Sequence, residues 1–255
     1  MKNVWLILVV MFMLLATGAG VNAAMLDSSA FPYKYEASVL PSAASPAYTY
    51  ASGCGLAESD YAQILSGGIL KLNTDTISGV PPYGTSLSGW YLLAGGAGTA
   101  WNPHFLGGYT MEVRMKSLPN NAGSYNAWFN WFDENSDILL QVWHNKVYLN
   151  GVEATGMDNQ SAFHDFRIVA ERSIDGNQKF DLYRDGVLVI SQAPNYADYS
   201  GPKFRFGDMT GIQESNIEID YIRWDDANAW TPVPEPATML LLGIGGLALN
   251  LRRKK

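Results

Sequence analysis

The 255-residue chain has one cysteine, three histidines, and 17 Lys and Arg against 24 Asp and Glu. A single Cys54 excludes an intramolecular disulfide, so a folded body must be held by packing. Cys54 lies in the Gly/Ser stretch ASGCGLAES with no His nearby in sequence, and it reads as structural rather than nucleophilic. His104, His144 and His164 stand at no metal-ligand spacing. No HExxH, Gly-x-Ser-x-Gly or phosphate-loop sequence occurs, so those metalloprotease, serine-hydrolase and nucleotide motifs drop out. Long helical periodicity is also missing between Gly67 and Trp224, which excludes a helical bundle.

The features that are present begin at the two ends. Lys2 precedes an apolar run from Val4 to Ala16, and Val21-Asn22-Ala23 provides small residues for a cut after Ala23. This order predicts a cleaved signal helix over residues 1–23 and export through the general secretion machinery. At the other end Val233-Pro234-Glu235-Pro236 leads into the apolar stretch Ala237–Leu251, followed by Arg252, Arg253, Lys254 and Lys255. As a helix those 15 residues would reach about 22 Å, short of a hydrocarbon core of about 30 Å. The basic cluster behind them marks a stop at the cytoplasmic face of a membrane. Without its ends the body keeps 12 basic and 23 acidic residues, a net of −11. Nucleic acid is therefore not an expected partner, because its affinity comes largely from cations neutralising phosphates.

Residues 24–66 are rich in Ala, Ser, Pro and Tyr, and Pro32, Pro41 and Pro46 interrupt any helix there. An extended segment packed on the domain is expected for this stretch, with the sandwich itself over 67–230 and a tail from 231 to 255. From Gly67 onward the period is two. YTMEVRMK places Tyr109, Met111, Val113 and Met115 on one face and Thr110, Glu112, Arg114 and Lys116 on the other. Further strands are predicted in ILKLNT, GWYLL, YNAWFNWF, ILLQVWHN, KVYLNG, FHDFRIVAE, KFDLYRDGVLVIS, KFRFGD and NIEIDYIRW, with Asp185-Gly186 as a two-residue hairpin turn. The pattern is all-β, an antiparallel sandwich or jelly roll.

Two resemblances follow from these residues. GGYTMEVRMK, FHDFRIVAE, FDLYRDGVLV, FRFGD and IEIDYIRW resemble the concanavalin A-like lectin/glucanase (laminin-G-like) jelly roll over about residues 31–230. In that likeness Tyr183-Arg184-Asp185-Gly186 stands for the hairpin, and Asp220-Tyr221-Ile222-Arg223 for the late strand. The fold hosts lectins, glycosidases, lyases and adhesion modules, so it implies no single activity. The tail resembles the PEP-CTERM sorting signal of Gram-negative bacteria. That likeness implies recognition of the Pro-Glu-Pro motif by an exosortase, a passage through the inner membrane, and a final place at the cell surface or in an exopolysaccharide matrix.

Candidate chemistry is sparse. Glu218-Ile219-Asp220 resembles the Glu-x-Asp-x-x-Glu strand of glucanases on this fold, but Arg223 stands where the third acid belongs. For polysaccharide lyases, neither Arg-x-Glu-Leu nor Gln-Ile-His is present. A binding surface is better supported. Trp128, Asn130 and Phe132 share the outward face of one strand, with Phe129 and Trp131 as core, and Leu139, Gln141 and Trp143 share that of the next; either these residues line a ligand groove or the N-terminal wrap or a long loop covers the extra aromatics. Glu112 and Arg114 are placed beside them as outward residues of a neighbouring strand. Aromatic rings around amides suit sugars, whose apolar faces stack while their hydroxyls take hydrogen bonds. Calcium is the one cofactor the composition suggests, with Asp133 and Asp137 of WFDENSD and Asp208 of FGDMTG as candidate oxygen ligands. The expectation is an exported binding or structural protein, with a glycoside hydrolase or polysaccharide lyase on the same fold as the alternative.

Overall fold

Period-two patterning dictates strands, and the computed structural model of the chain is built almost entirely from them. It describes residues 23–24, 31–52, 57–74, 89–94, 101–102, 108–119, 127–132, 136–171, 178–196, 203–208 and 215–234. In chain order the strands are β1 (Ala23–Ala24), β2 (Tyr33–Tyr35), β3 (Thr49–Ser52), β4 (Ala62–Leu65), β5 (Ile69–Asn73) and β6 (Gly89–Ala94). They continue with β7 (Tyr109–Ser117), β8 (Ala127–Phe132), β9 (Asp137–Val142), β10 (Lys146–Leu149), β11 (Val152–Thr155) and β12 (His164–Ala170). The last are β13 (Phe180–Arg184), β14 (Val187–Ala193), β15 (Lys203–Gly207), β16 (Asn216–Asp225) and β17 (Val233–Pro234).

Met25–Pro232 forms one unit, in which two antiparallel sheets share a single core. The front sheet has seven strands in the order β11-β10-β9-β8-β15-β6-β3. The back sheet has eight, β14-β13-β12-β7-β16-β5-β4, with β2 also paired to β16. The separate unit of residues 1–24 and 233–255 contains the short antiparallel pair of β1 and β17. The signal helix and the sorting helix expected from the sequence lie outside the described residues. Among the described residues no helix is long and apolar enough to cross a membrane.

Alternation predicts the core correctly. Tyr109, Met111, Val113 and Met115 of β7 are all buried, facing the inner residues of the front sheet. There Phe129, Trp131, Phe204 and Phe206 form a block of near-parallel rings, with centroids 5.0–6.0 Å apart around the cycle. Tyr48 sits edge-on to Phe206 at 5.5 Å. Such offset packing satisfies the ring quadrupoles while burying large apolar areas.

Two hairpins close with paired positive φ angles, as the type I′ turn requires. One is Asp185-Gly186, with φ of 49° and 78°. The other, Asn150-Gly151 with φ of 51° and 81°, joins β10 to the edge strand β11.

The stretch 24–66 contributes more than a wrap. It supplies β3 to the front sheet and β2 and β4 to the back sheet. These strands are three or four residues long and flanked by prolines or turns, so they carry too few positions for alternation to register. At the other end the strap after β16 seals the outer face of the back sheet. The Thr110 hydroxyl donates to the Asn228 carbonyl at 2.8 Å and accepts from the Trp230 amide at 2.6 Å. The Trp230 indole N–H donates to Asp225 at 2.6 Å, and the Arg167 guanidinium lies over Phe31.

Candidate functional site

The outer face of the front sheet is built by strand register. Trp128 lies opposite Gln141, Gln141 opposite Tyr148, and Tyr148 opposite Glu153, so four strands put one row of side chains on the same face. On the other side Trp128 pairs with Gly207, beyond which the register position is that of Trp90. Trp143 follows β9 and closes the turn to β10 by donating its amide to the Lys146 carbonyl at 2.9 Å. Its ring meets Tyr148 at 6.0 Å between centroids. The Lys146 ammonium stands 4.5 Å over Trp143 and 5.0 Å from Tyr148, and it donates to the Tyr148 hydroxyl at 2.9 Å. That bond is the largest influence raising the Lys146 pKa. The Tyr148 hydroxyl in turn donates to Glu153. Trp128, Gln141, Trp143 and Tyr148 are each partly exposed.

Asn159 fixes the turn that presents Trp143 and Lys146. Its buried amide donates to the Trp143 carbonyl at 2.7 Å and the Lys146 carbonyl at 3.3 Å, while its oxygen accepts from Arg184 Nε at 2.9 Å.

A second polar group lies further along the same face. Asn130 accepts from Arg205 Nε at 2.7 Å and donates to Asp137 and to the Ile138 carbonyl. Phe132 is buried beneath two cations, Lys203 at 5.2 Å and Arg205 at 4.8 Å from its centroid. Burial pushes the Asp137 carboxyl up to about 6, against the pull of Asn130, Arg205 and Lys203. The segment after β14 crosses to this point, with Asn195 Oδ1 accepting from the Asp137 amide at 3.0 Å and exposed Tyr196 alongside.

The strand register puts Trp128, Asn130 and Gln141 on one face of the front sheet, with Trp143 just beyond β9. It separates Glu112 and Arg114 from them. Both stand on β7 in the back sheet, so their outward face is on the opposite side of the sandwich. Period-two alternation reports which face of a strand a residue takes, and not which sheet the strand joins. Glu112 is buried against Arg167, with Nη2 at 2.6 Å and Nε at 2.8 Å, and it accepts from Tyr221 at 2.9 Å. Burial raises the Glu112 pKa, and Arg167 opposes this. Arg114 pairs with Asp165 at 3.1 Å and Asp220 at 3.2 Å.

The glucanase-like acids lie in the same network. Glu218 pairs with Lys116 at 2.7 Å, and a bulge at Asp220 lets it reach Arg114. Of the calcium candidates, Asp133 lies outside the described residues. Asp137 and Asp208 belong to different clusters, with Asp208 accepting from the Thr74 hydroxyl at 2.7 Å. Among the described residues no three His, Cys, Asp or Glu side chains gather as a metal site.

The front face also carries two carboxylates on its outer side. Asp137 and Glu153 are four residues and two strands apart, roughly 17 Å by backbone geometry. Glycoside hydrolysis needs its two carboxyls about 5–9.5 Å apart, so these two do not form such a pair.

Known structures place this architecture. An endo-1,3-beta-glucanase from Streptomyces sioyaensis is similar over 79% of this chain and 98% of its own, at 12% identity and TM-score 0.55. A carbohydrate esterase from the Shiga toxin-encoding bacteriophage phi24B matches over 78% and 99%, at 15% identity and TM-score 0.51. An alginate lyase of polysaccharide lyase family 7 aligns over 70% and 93%, at 16% identity and TM-score 0.47. At these identities the first two share a fold with this chain and nothing more: an antiparallel jelly roll of the kind concanavalin A-like proteins have. Residues 232–254 match the family model of the PEP-CTERM protein-sorting motif. That motif marks a protein exported through the membrane to the cell surface and processed by an exosortase. Val233 and Pro234 form β17, while Glu235, Pro236 and the basic residues Arg252–Lys255 lie outside the described residues. A search of curated proteins found no match.

Tyr148, Lys146, Lys203 and Arg205 are the site residues that sequence reasoning missed. Their signal is the alternation within KVYL and KFRF, which sets each pair outward. That β15 lies beside β8 is decided by a pairing across more than seventy residues, which no local pattern carries.

Proposed function

We propose that this is a polysaccharide-binding protein of the cell surface or extracellular matrix of a Gram-negative bacterium, working by adhesion rather than by bond cleavage. The observation that carries the reading is the cross-strand row of Tyr148, Gln141 and Trp128 with Trp143 beside it, partly exposed on one sheet face. Rings supply stacking surfaces and Gln141 supplies both a donor and an acceptor for hydroxyls. A row running across four strands suits an extended polymer better than a small ligand.

Affinity electrophoresis against a panel of soluble polysaccharides, with analysis for newly released reducing ends, tests this. Wild type is expected to be retarded by at least one polymer without releasing products. Trp143→Ala is expected to weaken that retardation about tenfold, the loss of one stacking contact of about 1.4 kcal/mol. No retardation by any polymer, or an unchanged Trp143→Ala variant, would overturn the groove. Product release would replace adhesion with catalysis.

A further inference from the structure

The back sheet ends in β4, and the outer side of that edge holds a polar cavity of about 150 Å³. Alternation places its lining. Leu70 and Leu72 of β5 are in the core, so Lys71 and Asn73 point outward, and both are half-buried. Gln63 of β4 stands opposite Lys71 and is exposed. The turn Glu58–Tyr61 that leads into β4 forms the remaining wall and brings Ser59 and Asp60 to the cavity.

That wall is fixed in place. The buried Tyr61 hydroxyl accepts from the Asp208 amide at 2.7 Å. Asp60 accepts from the Ala57 amide at 3.0 Å, and Glu58 accepts from the Ser42 hydroxyl at 2.6 Å. A ligand entering here would meet a wall already held by hydrogen bonds and would not have to order it.

Lys71 is the informative residue. Register sets it beside Glu218 of β16, but Glu218 gives its carboxylate to Lys116 on its other side, at 2.7 Å. The acid that lines the cavity is Asp60, and one of its oxygens is taken by the Ala57 amide. Among the described residues Lys71 forms no ion pair, unlike Arg114, Lys116, Arg167 and Arg223 on the same sheet. A half-buried ammonium with no carboxylate partner has given up hydration that an anionic ligand would replace.

Size and the remaining chemistry narrow that ligand. One water needs about 10–15 Å³ and a drug-sized molecule about 300 Å³ or more, so the cavity suits one small molecule or one unit of a polymer. The Gln63 and Asn73 amides and the Ser59 hydroxyl supply donors and acceptors for hydroxyl groups. The one ring among the lining residues, Tyr61, belongs to the core, so recognition here rests on hydrogen bonds and charge rather than on stacking.

We propose that this cavity is a second carbohydrate site, separate from the front-sheet row and not resting on that reading, and that it takes one carboxylated sugar unit. The carboxylate meets Lys71, and the ring hydroxyls meet Gln63, Asn73 and Ser59. A neutral sugar would satisfy the amides and leave Lys71 without an anion.

The test is a ligand-observed NMR titration of the full chain, dispersed in a non-ionic polyoxyethylene detergent, with sodium glucuronate and with glucose. Wild type should bind glucuronate about fivefold more tightly than glucose at low ionic strength, and the preference should shrink in about 0.5 M NaCl. Lys71→Gln should lose the preference and keep its melting temperature, and Gln63→Ala should weaken both sugars about two- to threefold. Lys179→Gln, at an exposed lysine that also forms no ion pair, and Trp143→Ala, in the front-sheet row, should both behave as wild type. Equal affinity for the two sugars, binding of neither, or a Lys71→Gln variant that keeps the preference would overturn the site. So would a loss in Lys179→Gln matching that in Lys71→Gln, which would mark a bulk charge effect. Loss of the preference in Trp143→Ala would place the sugar on the front sheet and overturn the second site. Failure of the polysaccharide test with an intact glucuronate preference would instead overturn the front row and leave this site standing.

Discussion

Asp137 is the most informative single residue to perturb, because its carboxyl is displaced by its surroundings and its amide counterpart fits the same contacts. Asn130 Nδ2 donates to Asp137 Oδ1, and an asparagine at 137 keeps an acceptor oxygen there. Burial moves the carboxyl from 3.8 to about 6 in the folded protein. Since the folded pKa is raised, the native state binds more protons than the unfolded chain between those two values. Stability from this group is then full at acid pH and falls as pH rises toward about 6. At about 1.4 kcal/mol per pH unit the total loss is about 3 kcal/mol, complete near pH 7. Asp137→Asn does not ionise and escapes that loss. Urea unfolding of wild type and Asp137→Asn, from pH 3.5 to 7.5, should show curves that nearly coincide at the acid end. At pH 7.5 the variant should be more stable by about 3 kcal/mol, equivalent to several degrees in Tm for a body of this size. A gap that does not change with pH, or a variant less stable at pH 7.5, would refute the argument. A constant gap would mean that Asn130, Arg205 and Lys203 balance burial, and a less stable variant that they outweigh it.

Two further predictions concern the parts that support the site and bound the domain. Asn159→Ala removes the buried amide that ties the Trp143–Lys146 turn to Arg184; it should cost about 2–3 kcal/mol in chemical denaturation and weaken polysaccharide binding in parallel. Ending the exported body at residue 229 instead of 232 removes Trp230 and its bonds to Thr110 and Asp225. That truncation should lower stability by about 2–3 kcal/mol and speed amide exchange in β7, whereas a body ending at Pro232 should match the longer chain.

Legibility of the molecule differed from element to element for definite reasons. β7 was readable because eight alternating residues leave little choice of face, and β16 because alternation holds on either side of its bulge at Asp220. β2 and β3 were not, since three or four residues without alternation look like loop. The Asn150-Gly151 turn had a clear dipeptide signal, yet β11 after it is exposed along most of its length and offers no apolar pattern to complete the hairpin. The candidate groove was half readable. Trp128, Asn130, Gln141 and Trp143 come from strands adjacent in both chain and space. Lys203 and Arg205 join them only because β15 inserts beside β8, and Glu112 and Arg114 leave them only because β7 belongs to the other sheet.

What the sequence by itself determined is local or linear: the all-β period, the faces of the long strands, the absence of a disulfide framework, and the tripartite sorting tail, which is recognised as an ordered string. Tertiary structure decided the rest. It chose which strands are neighbours, which acids are spent on buried ion pairs, and which cations stand beside aromatic rings on the front sheet. The physical reason is that alternation encodes a side of a strand, while sheet membership and charge pairing arise from contacts between residues far apart in the chain.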